Sequence, residues 1–146
     1  MPRPAHVMLV VAGMSSLLLV AGCSGSDTPA GPPLPAASAF AEGTCRTAAP
    51  DVLAVGRAIP RLAGGVQGKP GTVAREVKDS LRDAQNRIAA LADAAEPAYK
   101  PALEKLVVQI GLVRIRADGN EYNNELGQTL TRDYDAVLQA CGAAKI

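Results

Sequence analysis

The chain has 146 residues, 15 of them basic and 14 acidic, for a formal charge of +1. That length suits one ordinary domain and not two. The balanced charge excludes an electrostatic case for nucleic acid, and equally for a basic patch drawn to anionic lipid. There is no Trp, one Phe (Phe40) and three Tyr (Tyr99, Tyr122, Tyr134). The apolar content is therefore Ala, Leu and Val, which favours helices over strands.

Arg3 gives a weakly positive start, and Val7–Val20 then runs for 14 residues without a charge. A membrane-spanning helix needs about 20 apolar residues. Here the polar Ser24-Gly25-Ser26-Asp27 follows too soon. Residues 1–22 read as a cleaved export signal. The end of the segment, Leu19-Val20-Ala21-Gly22-Cys23, resembles the lipobox of bacterial lipoproteins. The resemblance covers the signal region alone. It implies cleavage between Gly22 and Cys23, a diacylglyceryl thioether on Cys23 with palmitate-type chains, and often a further acyl group on the new N-terminus. It also implies a mature chain on the cell membrane, facing outside the cytoplasm. One acyl chain binds a bilayer marginally, whereas two hold stably. Loss of Met1–Gly22 removes Arg3 and leaves 14 basic and 14 acidic residues.

Residues 23–44 hold the lipidated cysteine and a linker. Ser24–Gly43 is rich in Ser, Gly, Pro and Ala, with four prolines. Such a composition buries too little apolar surface to offset chain entropy, so disorder is expected. Fully stretched it reaches about 65–70 Å. Phe40 is expected as an exposed linker aromatic.

Residues 45–146 form the predicted helical domain. Pro50-Asp51 marks a helix start, and Val52, Val55, Ile59 and Leu62 fall on one helical face. Pro60 should kink or end it. Gly64-Gly65 and Gly68-Lys69-Pro70-Gly71 break the chain, and Thr72 is placed to cap a second helix. Val73, Val77, Leu81, Ala84, Ile88, Leu91 and Ala95 give the strongest period in the sequence. Glu96-Pro97 ends that helix and Pro101 starts a third. Leu103, Leu106, Val107, Ile110, Val113 and Ala117 define its face. Val108 and Leu112 widen the stripe, so this helix is expected to be the most buried. Gly119-Asn120 stops it and offers a cap for a fourth, whose face runs from Tyr122 through Leu130, Tyr134 and Val137 to Cys141.

The predicted fold is an all-α, small antiparallel four-helix bundle. A three-helix bundle with a packed N-terminal arm is the alternative. In an up-down-up-down bundle the start of the first helix and the end of the fourth share one end. Cys45 and Cys141 sit there, and they are the pair left once Cys23 carries lipid. Export places them in an oxidising compartment, so a Cys45–Cys141 disulfide is predicted, closing a loop of about 97 residues. A redox role is not expected, since there is no Cys-x-x-Cys.

Candidate chemistry is thin. His6, the one histidine, lies in the signal, and no Asp-rich calcium loop is present, so no metal or other cofactor is expected. Ser80 is the one serine of the body and has no histidine to activate it. The glycine-rich GGVQGKPG lacks the Gly-Lys-Ser/Thr ending of a phosphate loop. An enzyme is not expected. Asn120, Tyr122, Asn123 and Asn124 concentrate amides and an aromatic at a helix start and form a candidate partner surface, with capping and core packing as the plain alternative. Arg114 and Arg116 are either a partner surface or snorkelling ends. The expected function is a tethered, non-enzymatic interaction or scaffold module in the cell envelope, with an envelope protein or the cell wall as partner. A carrier of a small apolar ligand is the alternative. A carrier needs an internal cavity of several hundred Å³; an interaction module needs an exposed apolar patch.

Overall fold

The computed structural model describes residues 33–63 and 68–144. The signal, the Gly22–Cys23 cleavage point, the lipid on Cys23 and the linker as far as residue 32 lie outside the described residues. Four helices follow a short 3-10 turn at Ala37–Ala39: α1 (Thr44–Leu62), α2 (Arg75–Ala92), α3 (Lys100–Asp118) and α4 (Asn124–Ala140). No β-strand occurs among the described residues. Each helix packs on its neighbour in sequence, and α4 closes back on α1. The result is a small four-helix bundle.

Three ties set the alternating direction. Cys45 in the first turn of α1 is joined to Cys141 at the end of α4, with Cα atoms 5.6 Å apart. The Thr44 N–H reaches Glu96, between α2 and α3, at the same end. At the opposite end the Tyr122 N–H, before α4, donates to the Gly71 carbonyl, before α2, at 3.2 Å.

The first helix departs most from expectation. It begins at Thr44 rather than Pro50 and carries both Pro50 and Pro60 inside it. The apolar face continues upstream through buried Cys45, Ala48 and Ala49, small residues that weigh little in a hydrophobic pattern. Packing and the disulfide outweigh the missing proline donor. At 19 residues α1 is a full member of the bundle, which sets aside the three-helix alternative.

The described part of the expected disordered linker, residues 33–43, lies against the bundle. Phe40 is 1% exposed, which corrects its reading as an exposed aromatic. Arg46 donates to the carbonyls of Phe40 (2.9 Å) and Ser38 (3.0 Å), and the Ala41 N–H donates to Cys141 (2.8 Å). A large buried ring and three hydrogen bonds offset the entropy of this stretch.

Two caps also differ. Ala74, not Thr72, occupies the N-cap of α2, and the Thr72 hydroxyl donates to the Lys69 carbonyl at 2.7 Å. Asn120 adopts a left-handed φ of 56° and ends α3; the cap of α4 is Asn123, whose side chain accepts the Leu126 N–H at 3.0 Å.

Candidate functional site

The inner faces of the helices meet in a filled core. Val52, Val55, Leu81, Ile88, Leu106, Ile110, Leu130 and Val137 are all essentially inaccessible. Its rim is clamped by polar pairs. Arg87 donates to buried Asp51 at 2.6 Å, joining α2 to α1. Arg114 donates to Gln85 Oε1, and Gln85 Nε2 donates to the Val107 carbonyl at 3.2 Å, joining α3 to α2. Lys78 and Asp118 meet at 3.1 Å across the same seam. Arg114 therefore serves the bundle, while exposed Arg116 pairs with Glu121 at 2.8 Å.

The outer side of α3 is different. Val108 (63% exposed), Leu112 (45%) and Ile115 (69%) stand on its surface. Their spacing of four and three residues places them in one stripe along the helix. They are the large exposed hydrophobic side chains of the described residues. This corrects the expectation that α3 is the most buried helix. A member of a ring of four touches two neighbours and the core, and its fourth side meets water. Apolar residues on that side add nothing to the bundle's own packing.

A groove of about 630 Å³ runs beside the stripe between α3 and α4, lined by Ala102, Lys105, Val108, Gln109, Asp133 and Ala136. Asp133 lies at its wall with an 11% exposed side chain and pairs with the neighbouring Arg132 at 3.5 Å, itself 74% exposed. Farther along α3 a second depression brings Arg116 together with Glu121 and Glu125.

The residues singled out in sequence divide. Tyr122 is buried, and loss of solvent raises its phenol above the usual range. Its hydroxyl approaches Gly127, where an added Cβ would lie 2.2 Å away. Asn120 ends one helix and Asn123 caps the next. Of the four, Asn124 alone is exposed with neither a stop nor a cap to form. The stripe of α3 was hidden in sequence, because an aliphatic residue beside an apolar face reads as more core. The telling signal is the width of the pattern: Val108, Leu112 and Ile115 lie opposite Leu106, Ile110 and Val113 around the helix.

Tyr134 is the other unusual group. Its hydroxyl is buried without a hydrogen-bond partner, and burial raises its pKa, with Asp135 adding to the shift and Arg57 opposing it. It packs on Gly56, where an added Cβ would lie 2.6 Å from that hydroxyl. A cleft of about 270 Å³ beside it is lined by Pro33, Leu34, Leu138 and Ala144. Among the described residues no three His, Cys, Asp or Glu side chains group to hold a metal ion, and no helix is long and apolar enough to cross a membrane.

No protein-family model matches the chain, no curated protein matches it, and no solved structure matches it.

Proposed function

We propose that the chain is a lipoprotein, tethered through lipid on Cys23 outside the cytoplasm, whose helical body is a non-enzymatic interaction module. The outer face of α3 is its partner surface. The observation that carries this reading is the stripe of Val108, Leu112 and Ile115, exposed on a helix whose inner side is already packed. Exposed contiguous apolar surface is costly in a monomer and is retained where a partner covers it. The Cys45–Cys141 disulfide suits an oxidising compartment beyond the cytoplasm. The carrier alternative is weaker, because the space between the helices is filled with side chains and the clefts open at the surface.

The tether is tested by Cys23→Ser, which should move the protein from the membrane fraction to the soluble one. Continued tight attachment would refute the lipid anchor. Native mass spectrometry tests the body: an apo mass is expected, and a co-purifying small molecule would favour the carrier.

A further inference from the structure

We infer that the occupant of the α3 face is the same face of a second copy of this chain, packed antiparallel about a two-fold axis. The inference rests on the reading of that face as the partner surface and adds the identity of the partner.

A two-fold interface is self-complementary: if one residue faces another, the reverse holds as well. Val108 and Ile115 are seven residues apart, about 10 Å along the helix. An axis midway between them sets Val108 of each copy against Ile115 of the other, and Leu112 beside its own counterpart. Each exposed aliphatic of α3 then meets an aliphatic.

The charges choose the direction. On the α4 side of the stripe, one end holds Lys105 and the ill-partnered carboxylate of Asp133. The other end holds Arg116 with Glu121 and Glu125. In antiparallel packing the same flank of both helices meets, reversed end for end. Lys105 of one copy then comes to the Glu121 and Glu125 carboxylates of the other. Arg116 comes to Asp133, which otherwise has only its solvent-exposed neighbour. Parallel packing would instead set this flank against the opposite, α2-side flank of the partner, so that Lys105 would not reach Glu125 and Arg116 would not reach Asp133. A lipid surface fits less well, because it calls for cations along the rim, whereas Glu104, Asp118, Glu121 and Glu125 interrupt this one. The stripe is short, so pairing draws on the high effective concentration that a shared membrane provides.

The test uses the full chain in bacterial cells, with Leu112→Cys as the reporter and mild oxidation as the cross-linking step. A disulfide-linked homodimer is expected, and none from the unsubstituted chain or from Arg57→Cys, exposed on the diagonally opposite helix α1. Adding Lys105→Glu should cut the dimer about tenfold through like-charge repulsion. Adding Glu125→Lys to that variant should restore it. Both positions are exposed, so the fold should be unaffected, as circular dichroism can verify. A monomer at Leu112→Cys, equal cross-linking at Arg57→Cys, or a charge swap without loss and rescue would overturn the pairing. A monomer whose new thiol is shielded from aqueous maleimide would point to lipid or a different protein, and would overturn it too. Fractionation of Cys23→Ser reads the tether independently, so failure of the pairing and failure of the anchor are distinguishable.

Discussion

Helices α2 and α3 are neighbours of nearly equal length, 18 and 19 residues, and they solve the same problem on their inner sides. Val77, Leu81, Ala84 and Ile88 of one, and Leu103, Leu106, Ile110 and Val113 of the other, are all buried. Their outer sides part company. α2 turns Arg75, Arg82, Asp83, Asn86 and Arg87 to solvent, and these charges delimit its buried face. α3 turns out Val108, Leu112 and Ile115. A hydrophobic period reports burial reliably only where polar residues mark its edges. Where they are missing, the same residue types lie on both sides, and the sequence does not say which side the core takes.

The largest effects should come from the inner faces. Leu81→Ala and Leu106→Ala should each cost about 3 kcal/mol by leaving a cavity, measured by urea denaturation. Leu112→Ala should stay within about 0.5 kcal/mol, as for an exposed site. A loss at Leu112 equal to that at Leu106 would abolish the distinction between the two sides of α3.

The disulfide ranks next. Reducing Cys45–Cys141 should cost about 2–4 kcal/mol, because it frees a long loop in the unfolded chain. The joined residues are 96 apart in sequence. Denaturation with and without reductant measures this. After reduction, α2 and α3, which the disulfide does not join, should keep their amide-exchange protection longer than the α1 start and the α4 end.

A smaller effect separates the amides that precede α4. Asn123→Ala removes the cap and should cost about 1 kcal/mol, whereas Asn124→Ala should be near neutral. Equal losses would show that both residues hold the helix start.

The smallest effect lies at Tyr134. Its hydroxyl is buried and unpartnered, so Tyr134→Phe should be neutral or stabilising by up to about 1 kcal/mol at neutral pH. The folded state holds this phenol proton more tightly than the unfolded chain does. The associated stability is present below the ordinary tyrosine pKa of about 10 and is lost as pH rises through the folded value. Tyr134→Phe should therefore unfold less readily in alkali. Identical alkaline midpoints for the two proteins would refute that role.

Much of the bundle was legible in the sequence. The periodic faces of α2 and α4, the proline start of α3 and the break at Gly68–Gly71 each follow from local physics. So does the placement of Cys45 and Cys141 at one end, once alternating helices are assumed. Other features were not legible, for identifiable reasons. The upstream extension of α1 rests on Cys45, Ala48 and Ala49, whose small side chains pattern weakly yet pack tightly. The docking of Phe40 depends on Arg46 and Cys141, contacts that composition cannot foresee. Asn120 and Asn123 are the same residue type three positions apart; which one stops and which one caps was decided by the backbone left-handed turn.

By itself the sequence determined the helical character of α2, α3 and α4 and the order of the elements, because helix formation and chain breaks are short-range. It also determined the lipobox resemblance at Val20–Cys23, which concerns residues outside the described structure. Only the tertiary structure decided which side of each helix is inside. Burial is shared among elements distant in the chain, and α3 carries apolar residues on both of its sides. The ring of four encloses Leu106 and Ile110 and leaves Val108, Leu112 and Ile115 in water, and that choice makes α3 the candidate surface.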